Sequence, residues 1–215
     1  MKKIILFILL LFPIFVKAED LTPNAESGIL IEYSTGKILY SKKIDEKLAP
    51  ASMTKIMTLL LIMEAVEEGK INLDNNIPIS TNASSMGGSQ VFLDPNTEMK
   101  AEELIKSIAS ASANDSAVAM AEAISGTTAN FVSRMNSRAK ELGCKNTNFK
   151  NVHGLDEEGH YSTAYDMSLI ARELLKHEQI LKYTSTYEAY LNKPNGTSTW
   201  MVNTNKLIKY YTGLD

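Results

Sequence analysis

A chain of 215 residues with 22 basic and 25 acidic side chains has a net charge of −3, which argues against a nucleic-acid partner. Its 44% apolar and 22% charged content fits one good-sized globular domain or two small ones, and excludes disordered and collagen-like classes. One cysteine, Cys144, can neither close an intrachain disulfide nor build a thiolate cluster, so stability has to come from a buried core.

Lys2 and Lys3 precede an apolar run from Ile4 to Val16, and Val16-Lys17-Ala18 offers small side chains at the positions a signal peptidase inspects. The run is short for a membrane span and Pro13 interrupts it, so residues 1–18 read as a signal peptide, with a retained N-terminal anchor as the alternative. Export would place the rest of the chain outside the cytoplasm, with Cys144 as a small buried hydrophobe. Ser27 to Tyr33 and Ile38 to Ser41 are β-rich and flank Ser34-Thr35-Gly36-Lys37, a hairpin turn.

Ser52 to Glu68 is apolar on nearly every side, the pattern of a central buried helix, with Gly69 as its stop. Ile77 to Ser80 reads as a short strand, and Met86-Gly87-Gly88-Ser89 as a flexible loop. From Lys100 onward the pattern is helical. Glu102 to Ala109 and Ser116 to Ile124 flank a Ser110-Ala111-Ser112-Ala113-Asn114-Asp115 link. A helix opening at Thr127 or Thr128 follows, with Phe131, Met135, Ala139 and Leu142 inward and Gly143 as its stop. After a polar connection from Cys144 to Tyr161, Thr163 and Asp166 suggest an acidic capping box for a helix whose apolar face is Met167, Ile170, Leu174 and Leu175. Tyr187 to Leu191 and Thr197 to Val202 around Asn195-Gly196 predict a hairpin.

Ser52 and Lys55 stand three apart, which on a helix places hydroxyl and amine within reach of each other. The same spacing occurs at Ser34/Lys37, across a turn, and at Ser137/Lys140, on a solvated helix face. Only Ser52 begins a buried helix, where unpaired N–H groups favour a developing anion and burial favours a neutral lysine able to take the serine proton. The alternative is that Ser52 is an N-cap. Ser112 and Asn114 could both face a cleft, though Asn114 or Asp115 could equally cap the next helix, and Ser80/Asn82 repeats the spacing. His153, Asp156, Glu157, Glu158 and His160 could be read as a metal site, but their spacing matches no helical ligand pair and a self-bonded polar loop is the preferred reading.

In order behind the apolar leader come Ala49-Pro50-Ala51-Ser52-Met53-Thr54-Lys55, Ser112-Ala113-Asn114-Asp115, Asn151-Val152-His153-Gly154-Leu155 and His160 through Met167. This ordered set resembles the serine D-Ala-D-Ala carboxypeptidases, the low-molecular-mass penicillin-binding proteins related to class A β-lactamases. The resemblance implies an α/β (α+β) transpeptidase-like fold with a central antiparallel sheet, incomplete in this chain, and a helical subdomain over about residues 75–180 of a catalytic domain beginning at 19. It implies Ser52 as nucleophile, Lys55 as general base, Ser112 as proton relay and Asn114 as substrate-binding residue, with no metal or organic cofactor. The implied partners are peptidoglycan stem peptides ending in D-Ala-D-Ala and β-lactam antibiotics, met at the outer face of the cytoplasmic membrane, in the periplasm or at the cell wall. The family's third motif, Lys-Thr-Gly or Lys-Ser-Gly, does not occur. The resemblance therefore implies that the chain stops a few residues short of it, and lacks a C-terminal part that would give peripheral membrane association. Two rivals are a class A-like β-lactamase, against which Ser-Ala-Asn in place of Ser-Asp-Asn counts, and an envelope protein that binds stem peptides or β-lactams without turnover.

Overall fold

The computed structural model describes residues 20–211, so the signal-peptide reading and the Thr212-Gly213 segment lie outside the described residues. The fold mixes helices and strands. β1 (Gly28–Ile31) and β2 (Ile38–Lys42) form an antiparallel ribbon, and a 3-10 turn (Ala51–Met53) leads directly into α1 (Thr54–Glu67). Next come β3 (Asn76–Pro78), α2 (Thr81–Ser84), β4 (Glu98–Lys100), α3 (Ala101–Ala111), α4 (Asn114–Ser125) and α5 (Thr128–Glu141). The remainder is α6 (Ala164–Leu174), α7 (Leu181–Thr184) and the antiparallel pair β5 (Glu188–Asn192) and β6 (Ser198–Val202).

Helix α1 is the centre of the molecule, as its apolar side chains on nearly every side require: Met57, Leu60 and Ile62 have no exposed surface. It packs against α3, α4, α5 and α6, and Gly69 follows it in the left-handed region. The sheets are small, each of two strands among the described residues, so helix packing rather than a sheet builds the core. Arg172 of α6 fastens the β1–β2 ribbon to this core by donating from Nε to the Tyr33 carbonyl (2.9 Å) and from Nη2 to that of Ser34 (3.2 Å).

Several local readings change. β4, unforeseen in the sequence, ends at Lys100 just before the expected helix, and its three residues pair with β3. Ser80 lies beyond β3 and instead caps α2, accepting from the Ala83 N–H at 2.9 Å. Thr163 does cap α6, taking the Asp166 N–H at 3.1 Å, but no capping box forms. The Asp166 carboxylate accepts instead from the Asn146 N–H (2.7 Å) and the Thr147 hydroxyl (2.8 Å), tying the post-α5 loop to α6. Leu175 is 38% exposed and lines an apolar recess of about 460 Å³ between β1 and α6 rather than completing the core face. Cys144 packs against the core, where burial and the nearby Asp166 push its thiol up to about 12.

Candidate active site

The backbone enters α1 through a strained turn. Ala51 has φ of +45°, outside the region an L-residue prefers, and Ser52 on the following 3-10 turn is exposed. Gly154 packs so closely here that a side-chain β-carbon would overlap the Ala51 carbonyl oxygen and approach Thr54 Oγ1 to 3.0 Å. Gly154 itself has φ of +89°, so glycine is required both for conformation and for space.

Lys55 is 3% exposed and donates from Nζ to Ser52 Oγ (3.3 Å) and to the His153 carbonyl oxygen (2.6 Å). Burial alone lowers its pKa from 10.5 to about 8. The Ser52 hydroxyl faces this amine, and neither the 3-10 turn nor α1 has a side-chain cap, so the N-cap alternative is not what the serine does. The other two copies of the spacing are structural: Ser34 bonds the Glu32 carboxylate, while Ser137 and Lys140 are exposed.

Two threonines that sequence reading passed over complete this wall. Thr58 Oγ1 donates to the Val152 carbonyl (2.6 Å), and Thr54 Oγ1 meets His160 Nε2 at 2.8 Å. The signal for them was present: Thr54, Lys55 and Thr58 form a polar stripe on a helix whose next polar residue is Glu64. Because His160 Nδ1 accepts from the Lys150 N–H (3.1 Å), its Nε2 carries the proton and donates to Thr54. Burial, and secondarily Lys55, lower His153 to about 4, so its neutral ring accepts the Leu155 N–H at 3.2 Å. Both imidazoles of the suspected metal cluster are thus engaged in shaping the loop, and no group of three ligand-type side chains able to hold a metal occurs among the described residues.

The second motif forms the joint between α3 and α4. Ser112 ends α3 in the left-handed conformation, φ +57°. Ser112 Oγ and Asn114 Oδ1 are buried without a hydrogen-bond partner, the two such side-chain atoms among the described residues. Asn114 Nδ2 donates to the Gly87 carbonyl (2.7 Å) and its backbone N–H to that of Ser89 (2.7 Å), so the 86–89 loop is clamped onto the motif. Neither Asn114 nor Asp115 caps α4; the N-cap is Ala113, with no side-chain bond. Asp115, fully buried, accepts the N–H groups of Val91 (3.1 Å) and Leu93 (3.1 Å). By contrast, Ser80 and Asn82 both bond the Glu122 carboxylate, and neither has a buried unpaired side-chain atom. The two walls meet where a β-carbon on Gly88 would lie 2.9 Å from Asn114 Nδ2 and 3.4 Å from Leu155 Cδ2. Replacing Asp115 with asparagine points an NH₂ at an N–H donor, and is expected to cost about 1–3 kcal/mol in thermal unfolding as the 87–93 loop loosens.

The sequence profile of the D-alanyl-D-alanine carboxypeptidase family matches residues 15–215. The chain is 57% identical over 199 residues to the D-alanyl-D-alanine carboxypeptidase DacF of Bacillus subtilis, covering 93% of this chain and 51% of that protein. It is 41% identical over 159 residues to DacA of Escherichia coli K12, covering 71% and 40% respectively. Penicillin binding protein 5 of Haemophilus influenzae superposes with a TM-score of 0.83 at 34% identity over 90% of this chain and 56% of that one. The carboxypeptidase DacD of Francisella tularensis superposes at 0.80 and 34% identity over 86% and 45%. The chain therefore spans about half the length of the curated relatives it matches.

Proposed function

The chain belongs to the D-alanyl-D-alanine carboxypeptidase family, and from that premise we propose that it removes the terminal D-alanine from peptidoglycan stem peptides through an acyl-serine intermediate. Ser52 Oγ attacks the carbonyl of the penultimate D-alanine while the neutral Lys55 amine takes its proton. The backbone N–H of Ser52 donates to the oxyanion. As the tetrahedral intermediate collapses, Lys55 gives up the proton it took, relayed through the Ser112 hydroxyl, to the leaving D-alanine amine, which restores both groups, and the unpaired Asn114 Oδ1 accepts the amide N–H of the stem peptide. Water then hydrolyses the ester with Lys55 again as base. A β-lactam opens on the same serine and leaves more slowly.

The observation that carries this reading is the buried Lys55 amine, 3.3 Å from an exposed serine hydroxyl. It also sets a pH dependence. With a pKa of about 8, the amine is mostly protonated at neutral pH and its neutral fraction grows as pH rises. The second-order rate of acylation by benzylpenicillin is expected to climb roughly tenfold per unit below that value and to level off above it. Stopped-flow rates between pH 5.5 and 9.5 read the profile. A flat one would remove Lys55 from the base role.

Residues 1–18 act in this proposal as a signal peptide, and residues 19–215 as the N-terminal part of the catalytic domain, with its helical subdomain over about 75–180. The site works outside the cytoplasm, in the periplasm or at the outer face of the cytoplasmic membrane and the cell wall, with peripheral membrane association. No helix among the described residues is long and apolar enough to cross a membrane.

A further inference from the structure

We infer that the outer face of the β5–β6 ribbon is a carbohydrate platform, binding the amino-sugar strand from which the stem peptide hangs. Along both strands the side chains alternate. Leu191 and Met201 are buried at 0% and 2% exposure, and the ribbon packs on α3. The opposite face carries three cross-strand rows: Glu188 opposite Val202, Tyr190 opposite Trp200, and Asn192 opposite Ser198. Tyr190 and Trp200 are 64% and 59% exposed, two large aromatics uncovered side by side where most surfaces leave only scattered ones.

The polar rows decide what this face suits. Trp200 Nε1 donates to Glu188 Oε2 (3.3 Å), and Ser198 Oγ donates to Asn192 Oδ1 (2.6 Å). An apolar protein surface or an acyl chain laid over the aromatic pair would have to strip water from a carboxylate and an amide without replacing their bonds. An anionic lipid surface would meet the Glu188 charge. A pyranose satisfies both parts: its C–H face lies on the rings, while its hydroxyl and N-acetyl groups reach the carboxylate and the amide.

The ribbon is also tied to the substrate cleft. Lys193 Nζ donates to the Phe92 carbonyl (2.6 Å), Thr199 Oγ1 to that of Val91 (3.2 Å), and Asn195 Nδ2 to the Asp94 carboxylate (2.6 Å). Those three residues belong to the segment that Asp115 holds beside Asn114, so a strand seated on the platform presents its peptides next to that wall. The choice of an N-acetylated sugar rests on the stem-peptide reading above; the placement of aromatic and polar groups does not.

Trp200 is the single tryptophan of the chain, so its fluorescence reports the platform directly. Titrating the 215-residue chain with peptide-free strands of N-acetylglucosamine and N-acetylmuramic acid is expected to give a saturable change in emission. Tyr190→Ala should weaken the affinity about tenfold, and Tyr190→Phe should retain it. An emission that stays constant overturns the platform. So does a change produced by phosphatidylglycerol vesicles and not by glycan, or one that follows protein concentration alone, which would mark a lipid surface or a second copy of the chain. Benzylpenicillin acylation, read by mass on the same sample, separates the two readings. Saturable glycan binding without acylation leaves the platform standing and sinks the Ser52 mechanism. Acylation without glycan binding does the reverse.

Discussion

Replacing Lys55 with methionine is expected to slow acylation by benzylpenicillin by about two to four powers of ten while leaving the fold intact. The lysine is nearly fully buried, and burial lowers its pKa to about 8, so the folded protein bears a cost for the charged form that an apolar chain of similar length does not carry. What the substitution removes is the donor to the His153 carbonyl and the base facing Ser52. Thermal unfolding within a few degrees of wild type, alongside the lost rate, would separate chemistry from packing. Lys55→Arg tests the same point from the other side: it keeps the positive charge and cannot deprotonate, so it should be as slow as methionine. A fast Lys55→Met variant would remove the lysine from the mechanism.

Gly154→Ala is expected to damage the site from a distance in sequence. The new β-carbon would overlap the carbonyl oxygen of Ala51, the residue before the proposed nucleophile, and the backbone at 154 already sits at φ +89°. Either the loop withdraws from α1, costing Lys55 its bond to the adjacent His153 carbonyl, or the Ala51 turn shifts and carries Ser52 with it. The expected cost is about 3 kcal/mol, a fall of roughly 10 °C in the unfolding midpoint, with acylation reduced in the fraction that stays folded. An alanine variant with wild-type melting and acylation would show that the close approach has no functional weight.

Much of this site is legible in the sequence because its parts are local. The residues after Ser52, apolar on nearly every side, mark a buried helix, and a lysine one turn into such a helix must lose water. Spacing alone did not separate Ser52/Lys55 from Ser34/Lys37 or Ser137/Lys140; burial did, and it followed from the residues around each copy. The illegible parts depend on partners far along the chain. Asp115 and Asp166 sit where local rules favour capping, yet their carboxylates go to backbone N–H groups about twenty residues away in sequence. β4 exists only because β3 accepts it. The left-handed Ala51 and Ser112 carry no glycine or asparagine to announce them; the first adjoins the proposed nucleophile and the second is itself the proposed proton relay. In these places tertiary bonding overrides propensity.

The most direct test of the central claim is the intact mass of the chain after incubation with benzylpenicillin, with Ser52→Ala alongside. The Ser52–Lys55 pair predicts a folded wild-type protein that gains the mass of one penicillin, with peptide mapping placing the adduct on Ser52, and a folded Ser52→Ala protein that gains none. A folded wild-type chain without the adduct, or an adduct that survives Ser52→Ala, would contradict it.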